Sequence, residues 1–293
     1  MKTLIKSTLS FVLALPLLVL GLFIILVMLL FGIEKSSQFF AWFFMKIGPK
    51  TPRHKVVLRN LELCFPKMDT PDQKELAVKS WGNLGAMLAE MIFFKFMKEE
   101  EFKRRVTIND KVKAFTKGAK FIVNSHLSNF EIFSHISKIF NVVINCLYKE
   151  PKSKFFNYII LFLRKQPFFY MHANKSTEGL KAFINAIKKN EFSWMFVDQN
   201  APNGINTTFF NLPVKTTDIV GKLALKYKAP IFMVRVIRTG TAKYRIETEK
   251  FELKDSDTSH SITQKMNDVI EGWIKEHPEQ YYWVHRRFKL VGY

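Results

Sequence analysis

The stretch FIVNSHLSNFEIF, Phe121–Phe133, places an apolar run ahead of a histidine and a glutamate five positions apart. On one helix, five residues turn through roughly 500° and leave the two side chains about 140° apart. They would then share no face, because that requires spacings of three or four. His126 and Glu131 can converge only if His126 lies in the loop after a strand and Glu131 in the first turns of the helix that follows. A competing reading needs no chemistry: Ser128-Asn-Phe-Glu131 has the spacing of a capping box, which orders a helix start.

The flanking sequence supports the strand–loop–helix reading. Short apolar runs at Phe121–Asn124, Val142–Leu147, Phe168–Met171, Trp194–Val197, Ile231–Ile237 and Tyr244–Phe251 are the candidate strands. Between and around them lie candidate helices at Asn129–Lys138, Lys154–Arg164, Thr177–Lys189, Thr217–Tyr227 and Ser261–Glu276. A longer helix, Leu76–Phe96, carries Leu76, Trp81, Leu84, Leu88, Met91 and Ile92 in one apolar stripe. This alternation predicts an α/β sandwich around a largely parallel sheet. Such sheets bind ligands beyond the C-terminal ends of their strands. His126 follows one strand and Asp198 follows WMFV, so both fall at that edge.

The N-terminus is of another kind. Ser7–Ile33 carries no charge and is almost wholly aliphatic, more than the ~18 apolar residues that read as a membrane-spanning helix. No small-residue cleavage site follows, so residues 1–35 read as a retained membrane anchor, with Pro16 as its candidate kink. Lys35, Lys46, Lys50, Arg53 and Lys55 follow the anchor and only two lysines precede it. The heavier positive flank predicts a body on the cytoplasmic side. Residues 36–55, with Phe39-Phe40-Ala-Trp42-Phe43-Phe44, read as an aromatic and basic interfacial segment, and 56–293 as the cytoplasmic domain. The formal net charge is +20, from 45 basic and 25 acidic residues. That balance implies anionic partners, and no nucleic-acid motif accompanies it. Cys64 and Cys146 are isolated in apolar company and give neither a disulfide framework nor a metal site.

With HLSNFE placed after a strand, the chain resembles the lysophospholipid acyltransferase superfamily, whose signature is a histidine, four residues and an acid. It more closely resembles the bacterial lipid A biosynthesis (late) acyltransferases of that superfamily. The matching segments are NLELCFP (Asn60–Pro66), VNSHLSNFE (Val123–Glu131), VDQNAP (Val197–Pro202), FFNLPVKTT (Phe209–Thr217), APIFMVRVIR (Ala229–Arg238) and PEQYYWVHRRFK (Pro278–Lys289). It departs from that pattern in having Tyr148-Lys149-Glu150-Pro151 in place of a Tyr-Arg-Pro triplet, and Asn211 where glycine is usual.

The resemblance implies transfer of a fatty acyl chain from an acyl carrier protein thioester to a hydroxyl of an anionic lipid A precursor. No bound cofactor or metal is implied, and the setting is the bacterial inner membrane. His126 would take the hydroxyl proton as general base, with Glu131 bonded to its other ring nitrogen. Arg164, or the free N–H groups at the start of the helix after His126, would steady the developing oxyanion. Asp198 and Asn200 would help build the site. Asn129, Lys149, Thr216, Thr217, His285, Arg286 and Arg287 are the candidate substrate-binding residues. Two other readings remain: the same chemistry on another glycolipid or a lysophospholipid, or a non-enzymatic, membrane-tethered protein that binds anionic lipid. The second accounts for the charge and the anchor, but not for DQNAP or for where His126 falls.

Overall fold

The computed structural model describes residues 2–109, 118, 120–151, 153–173 and 177–293. Strand β1 (Val106–Ile108) is followed by β2 (Lys120–Asn124), β3 (Ile144–Tyr148), β4 (Phe169–Ala173) and β5 (Phe192–Phe196). Strands β6 (Ile205–Phe209) and β7 (Leu212–Thr216) form a separate hairpin, and β8 (Ile231–Gly240) and β9 (Lys243–Phe251) end the series. Seven strands make one sheet in the order β1-β9-β8-β2-β5-β3-β4. Every neighbouring pair in it is parallel except β8–β9. The expected α/β sandwich around a largely parallel sheet is the observed architecture.

Central β2 is buried at every position, as a strand covered on both faces must be. Its alternating side chains feed two cores. Phe121 and Val123 pack with helices α2 (His54–Cys64), α7 (Thr177–Lys188), α8 (Ile219–Tyr227) and α9 (Ser259–Glu276). Ile122 packs on the opposite face with α3 (Thr70–Phe96), α4 (Glu99–Arg105) and α5 (Phe133–Ile139). Helix α6 (Lys154–Arg164) connects β3 to β4. Helix α9 starts at a capping box made by Thr258 and Ser261.

Helix α1 (Lys2–Ile47) does not break at Pro16. Its non-helical residue is Gly32, at φ 80° and ψ 172°, a conformation open to glycine. Beyond that break the helix belongs to the body and packs along α3. At Gly85 a Cβ would come within 2.3 Å of the Phe40 carbonyl oxygen, so the close approach of the two helices depends on glycine there. The aromatic segment is thereby split: Phe40 and Phe44 face α3, while Phe39, Trp42 and Phe43 stay exposed. A window within Phe23–Lys50 reaches a mean hydropathy of 1.6, which makes this helix long and apolar enough to cross a membrane.

Some elements have too weak a pattern to be read ahead of the structure. Helices α2 and α4 are short, β1 has three residues, and β6–β7 closes through Phe210 and Asn211 at φ 52° and 58°. That is the primed turn a tight hairpin requires, and asparagine tolerates the left-handed region that glycine otherwise supplies. The helix expected over Asn129–Lys138 is two pieces, a 3₁₀ turn at Phe130–Ile132 and then α5.

His135 shows how completely the face beneath α3 is closed. Its ring stacks on Phe102 at 5.6 Å and bonds the Phe94 carbonyl. Burial, with smaller contributions from the charges of Lys138 and Lys95, pushes its pKa from 6.5 down to about 4. Between those values the unfolded chain takes up a proton that the folded chain refuses, so stability falls as pH drops through that window and is regained toward neutrality. Thermal melts between pH 7 and 4.5 should therefore show a shallower acid dependence for His135→Gln than for the parent. Equal slopes would remove His135 from the acid response.

Candidate active site

The parallel register pairs Asn124 of β2 with Phe196 of β5. His126 and Asp198 therefore lie at equivalent positions, each two residues past the end of its strand, on chains roughly 4.8 Å apart. From there the Asp198 carboxylate grips His126 twice. Oδ1 meets ring Nδ1 at 2.7 Å, and Oδ2 accepts the His126 backbone N–H at 2.8 Å. Asp198 is buried, which by itself would raise its pKa. The charge of His126 and these two hydrogen bonds, with Arg287 nearby, hold it below the ordinary carboxylate value. An anionic partner on Nδ1 assigns the proton to that nitrogen and leaves Nε2 as the basic one. Nε2 lies 3.1 Å from the Gln199 side-chain amide. Phe130 and Phe196 wall the ring at centroid distances of 4.7 and 4.5 Å.

The expected His126–Glu131 hydrogen bond does not form. Both Glu131 oxygens accept from Arg164 at the C-terminal end of α6, Nε at 2.6 Å and Nη2 at 2.5 Å. The capping box read from Ser128 does not form either. Ser128 sits at φ 56°, and its buried Oγ has no hydrogen-bond partner among the described residues. The turn is capped by Asn129, whose Oδ1 accepts the Glu131 N–H at 3.3 Å. A left-handed residue followed by a 3₁₀ turn directs Glu131 away from the imidazole and toward α6. Burial opposes the charge on Arg164, yet the Glu131 carboxylate raises its pKa. This ion pair lines a small pocket together with Phe133, Cys146, Phe169, Trp194 and Phe196.

Several candidate ligand-binding residues are committed to the protein itself. Arg287 is almost wholly buried, and its guanidinium bonds within the protein. Its Nη1 donates to the carbonyls of Gln199 (2.7 Å) and Lys215 (2.9 Å), and its Nη2 to Thr216 Oγ1 (2.7 Å). Thr216, also buried, completes that staple with Thr207. Asn129 is enclosed, with Nδ2 on Glu90 at 2.9 Å. His285 accepts the Asn200 backbone N–H at 3.2 Å, and burial together with the charge of His126 lowers its pKa to about 4. Asn200 thus contributes to the site through its main chain. Lys149 and Arg286 remain exposed, and Thr217 is half-buried.

Sequence reasoning overlooked Gln199, which lies inside DQNAP between two residues that were singled out. It also overlooked Glu90 and Arg238. The available signal was a lone acid within the apolar run Leu88-Ala-Glu-Met-Ile-Phe-Phe94.

Residues 6–290 match the family described as bacterial lipid A biosynthesis acyltransferase. The lipid A biosynthesis lauroyltransferase of Escherichia coli K12 is 27% identical over 251 residues, which cover 81% of this chain and 79% of that protein. The palmitoleoyltransferase of the same organism is 24% identical over 249 residues, with the same shares of the two chains. Among solved structures, a 1-acyl-sn-glycerophosphate acyltransferase from Thermotoga maritima is similar at a TM-score of 0.40 and 13% identity. That similarity spans 83% of this chain and 95% of the other.

If Asp198 sets the imidazole tautomer, Asp198→Asn should fold but turn over about 10²–10⁴-fold more slowly, the order seen when an orienting carboxylate is lost. KM should stay within about twofold. Turnover within threefold of the parent would show that the Nδ1 bond does not direct the base.

Proposed function

This chain belongs to the bacterial lipid A biosynthesis acyltransferases, enzymes of acyl transfer, and from that premise we propose that it acylates a hydroxyl of a lipid A precursor using an acyl carrier protein thioester. The observation that carries the mechanism is the double grip of Asp198 on His126 beyond the parallel strands. In our reading, the acceptor hydroxyl gives its proton to His126 Nε2 as its oxygen attacks the thioester carbonyl. A C–O bond forms, the carbonyl π electrons move onto oxygen, and collapse of that tetrahedral species breaks the C–S bond. The departing thiolate takes up the proton held by the imidazolium. Asp198 keeps Nδ1 protonated and steadies the charged ring throughout. No serine nucleophile is required.

Glu131 acts in this scheme through Arg164 instead of through the ring. Two N–H groups of the guanidinium are spent on the carboxylate, and Nη1 has no hydrogen-bond partner among the described residues. Its donors can face an oxyanion in a site where water is restricted and such donors count most. The apolar pocket beside the pair is where we place the start of the acyl chain. We further propose that residues 1–35 anchor the enzyme in the inner membrane, with the segment 36–55 at the interface and residues 56–293 on the cytoplasmic side. The excess of positive charge supports recruitment of an acidic carrier protein and an anionic lipid.

Mass spectrometry of lipid A from cells with and without this protein tests the reading. Removing the gene should remove one acyl chain from lipid A. The parent should restore it, and His126→Ala should not. Unchanged lipid A with altered phospholipids would overturn the assignment of the acceptor. Full activity of His126→Ala would overturn the mechanism.

A further inference from the structure

Glu90 is wholly buried on α3, in a run of otherwise apolar residues. A carboxylate in that setting costs several kcal/mol unless it is paired and fully hydrogen-bonded. Donors from four other parts of the chain converge on it. Arg238 of β8 reaches it with Nη1 at 2.6 Å and Nη2 at 3.1 Å, and Ser37 of α1 with Oγ at 2.6 Å. Tyr244 of β9 donates its hydroxyl, and Asn129, from the turn after His126, donates Nδ2 at 2.9 Å. Burial and then the Glu90 charge push the Tyr244 pKa well above its ordinary value, so the hydroxyl keeps its proton and remains a donor.

None of these groups hydrogen-bonds His126 or Arg164. The link is the Asn129 amide. An ionised carboxylate only accepts hydrogen bonds, so Glu90 obliges Asn129 to present its NH₂ side. The amide oxygen must then face the other way, where it accepts the Glu131 N–H at 3.3 Å. Glu131 in turn holds the Arg164 guanidinium.

We propose that Glu90 is a positioning residue for the transfer site: its carboxylate orients the Asn129 amide, which sets the turn carrying Glu131 and hence Arg164. Through Ser37 the same carboxylate ties that turn to the part of α1 that follows the apolar segment. This inference rests on the reading of His126 and Arg164 as the transfer site. Misplacing a group by about 1 Å costs on the order of 10²-fold in rate, so a hub three residues removed from the chemistry is felt there.

Asn129→Ala breaks the link while leaving Glu90 its other donors, and Glu90→Gln removes the charge that orients the amide. In full-length enzyme, each should lower kcat by about 30- to 100-fold, with KM within about twofold. Backbone amides of residues 127–133 should exchange hydrogen faster in both. The double variant Glu90→Gln with Asn129→Asp reverses the polarity of that one bond, since the new amide donates to the new carboxylate while its oxygen keeps accepting from Arg238 Nη1 and Ser37. It should recover at least tenfold over Glu90→Gln, which a loss of stability alone would not produce. A kcat for Asn129→Ala within threefold of the parent would overturn the proposal, even if Glu90→Gln fails to fold. His126→Ala in the same assay keeps the two readings apart, because its activity tests the site and not the hub.

Discussion

A register between two parallel strands holds this site together. Pairing of Asn124 with Phe196 brings His126 and Asp198 level, and one buried carboxylate then spans the ring and the backbone of the histidine. Sliding one strand by a single residue would turn its side chains to the opposite face and separate the pair. The two cores enforce the register from both sides, since Phe121 and Val123 serve one and Ile122 the other. The hydrophobic pattern that makes the sheet is therefore also what aligns His126 with Asp198.

Loops at the strand ends are secured by the C-terminal segment. The Ser128 N–H donates to the Gln280 carbonyl at 2.7 Å, and the Tyr282 N–H to the His126 carbonyl at 3.0 Å. Arg287 then staples the loop of Gln199 to the end of β7. Arginine suits this task because its fork meets several acceptors at fixed angles and stays charged when buried. Arg164 and Arg238 are used in the same way against Glu131 and Glu90. Part of the large positive charge of the chain is thus internal scaffolding, and the share that can meet an anionic partner belongs mainly to exposed lysines.

The fold class was legible because it follows from local patterns: apolar runs alternating with striped helices, and a histidine and an aspartate each just past a run. The break in α1 was not legible, because proline draws attention while Gly32 acts by a left-handed φ that composition does not reveal. Arg287 was read as a ligand group because a guanidinium in WVHRRFK could hold a phosphate or carboxylate. Only the tertiary return of that segment over the strand ends buries it. Glu90 went unread for the opposite reason, since its partners lie on four elements distant in sequence and no spacing rule connects them.

The five-residue interval between His126 and Glu131 deserves a different physical account from the one it first suggests. Spacing arguments assume that two reactive groups in one motif act on each other. Here the interval contains Ser128 in the left-handed region and a 3₁₀ turn capped by Asn129, and that geometry parts the two side chains. His126 is delivered to an acid from β5 and Glu131 to a cation from α6. The motif fixes the relative placement of two polar pairs, His126 with Asp198 and Glu131 with Arg164. A turn that held the pair in contact would spend the carboxylate on the imidazole and leave the half-buried Arg164 without its counterion. Recruiting a second acid from the neighbouring strand avoids that conflict, and this is why the register of β2 on β5 matters more to the site than the spacing within the motif.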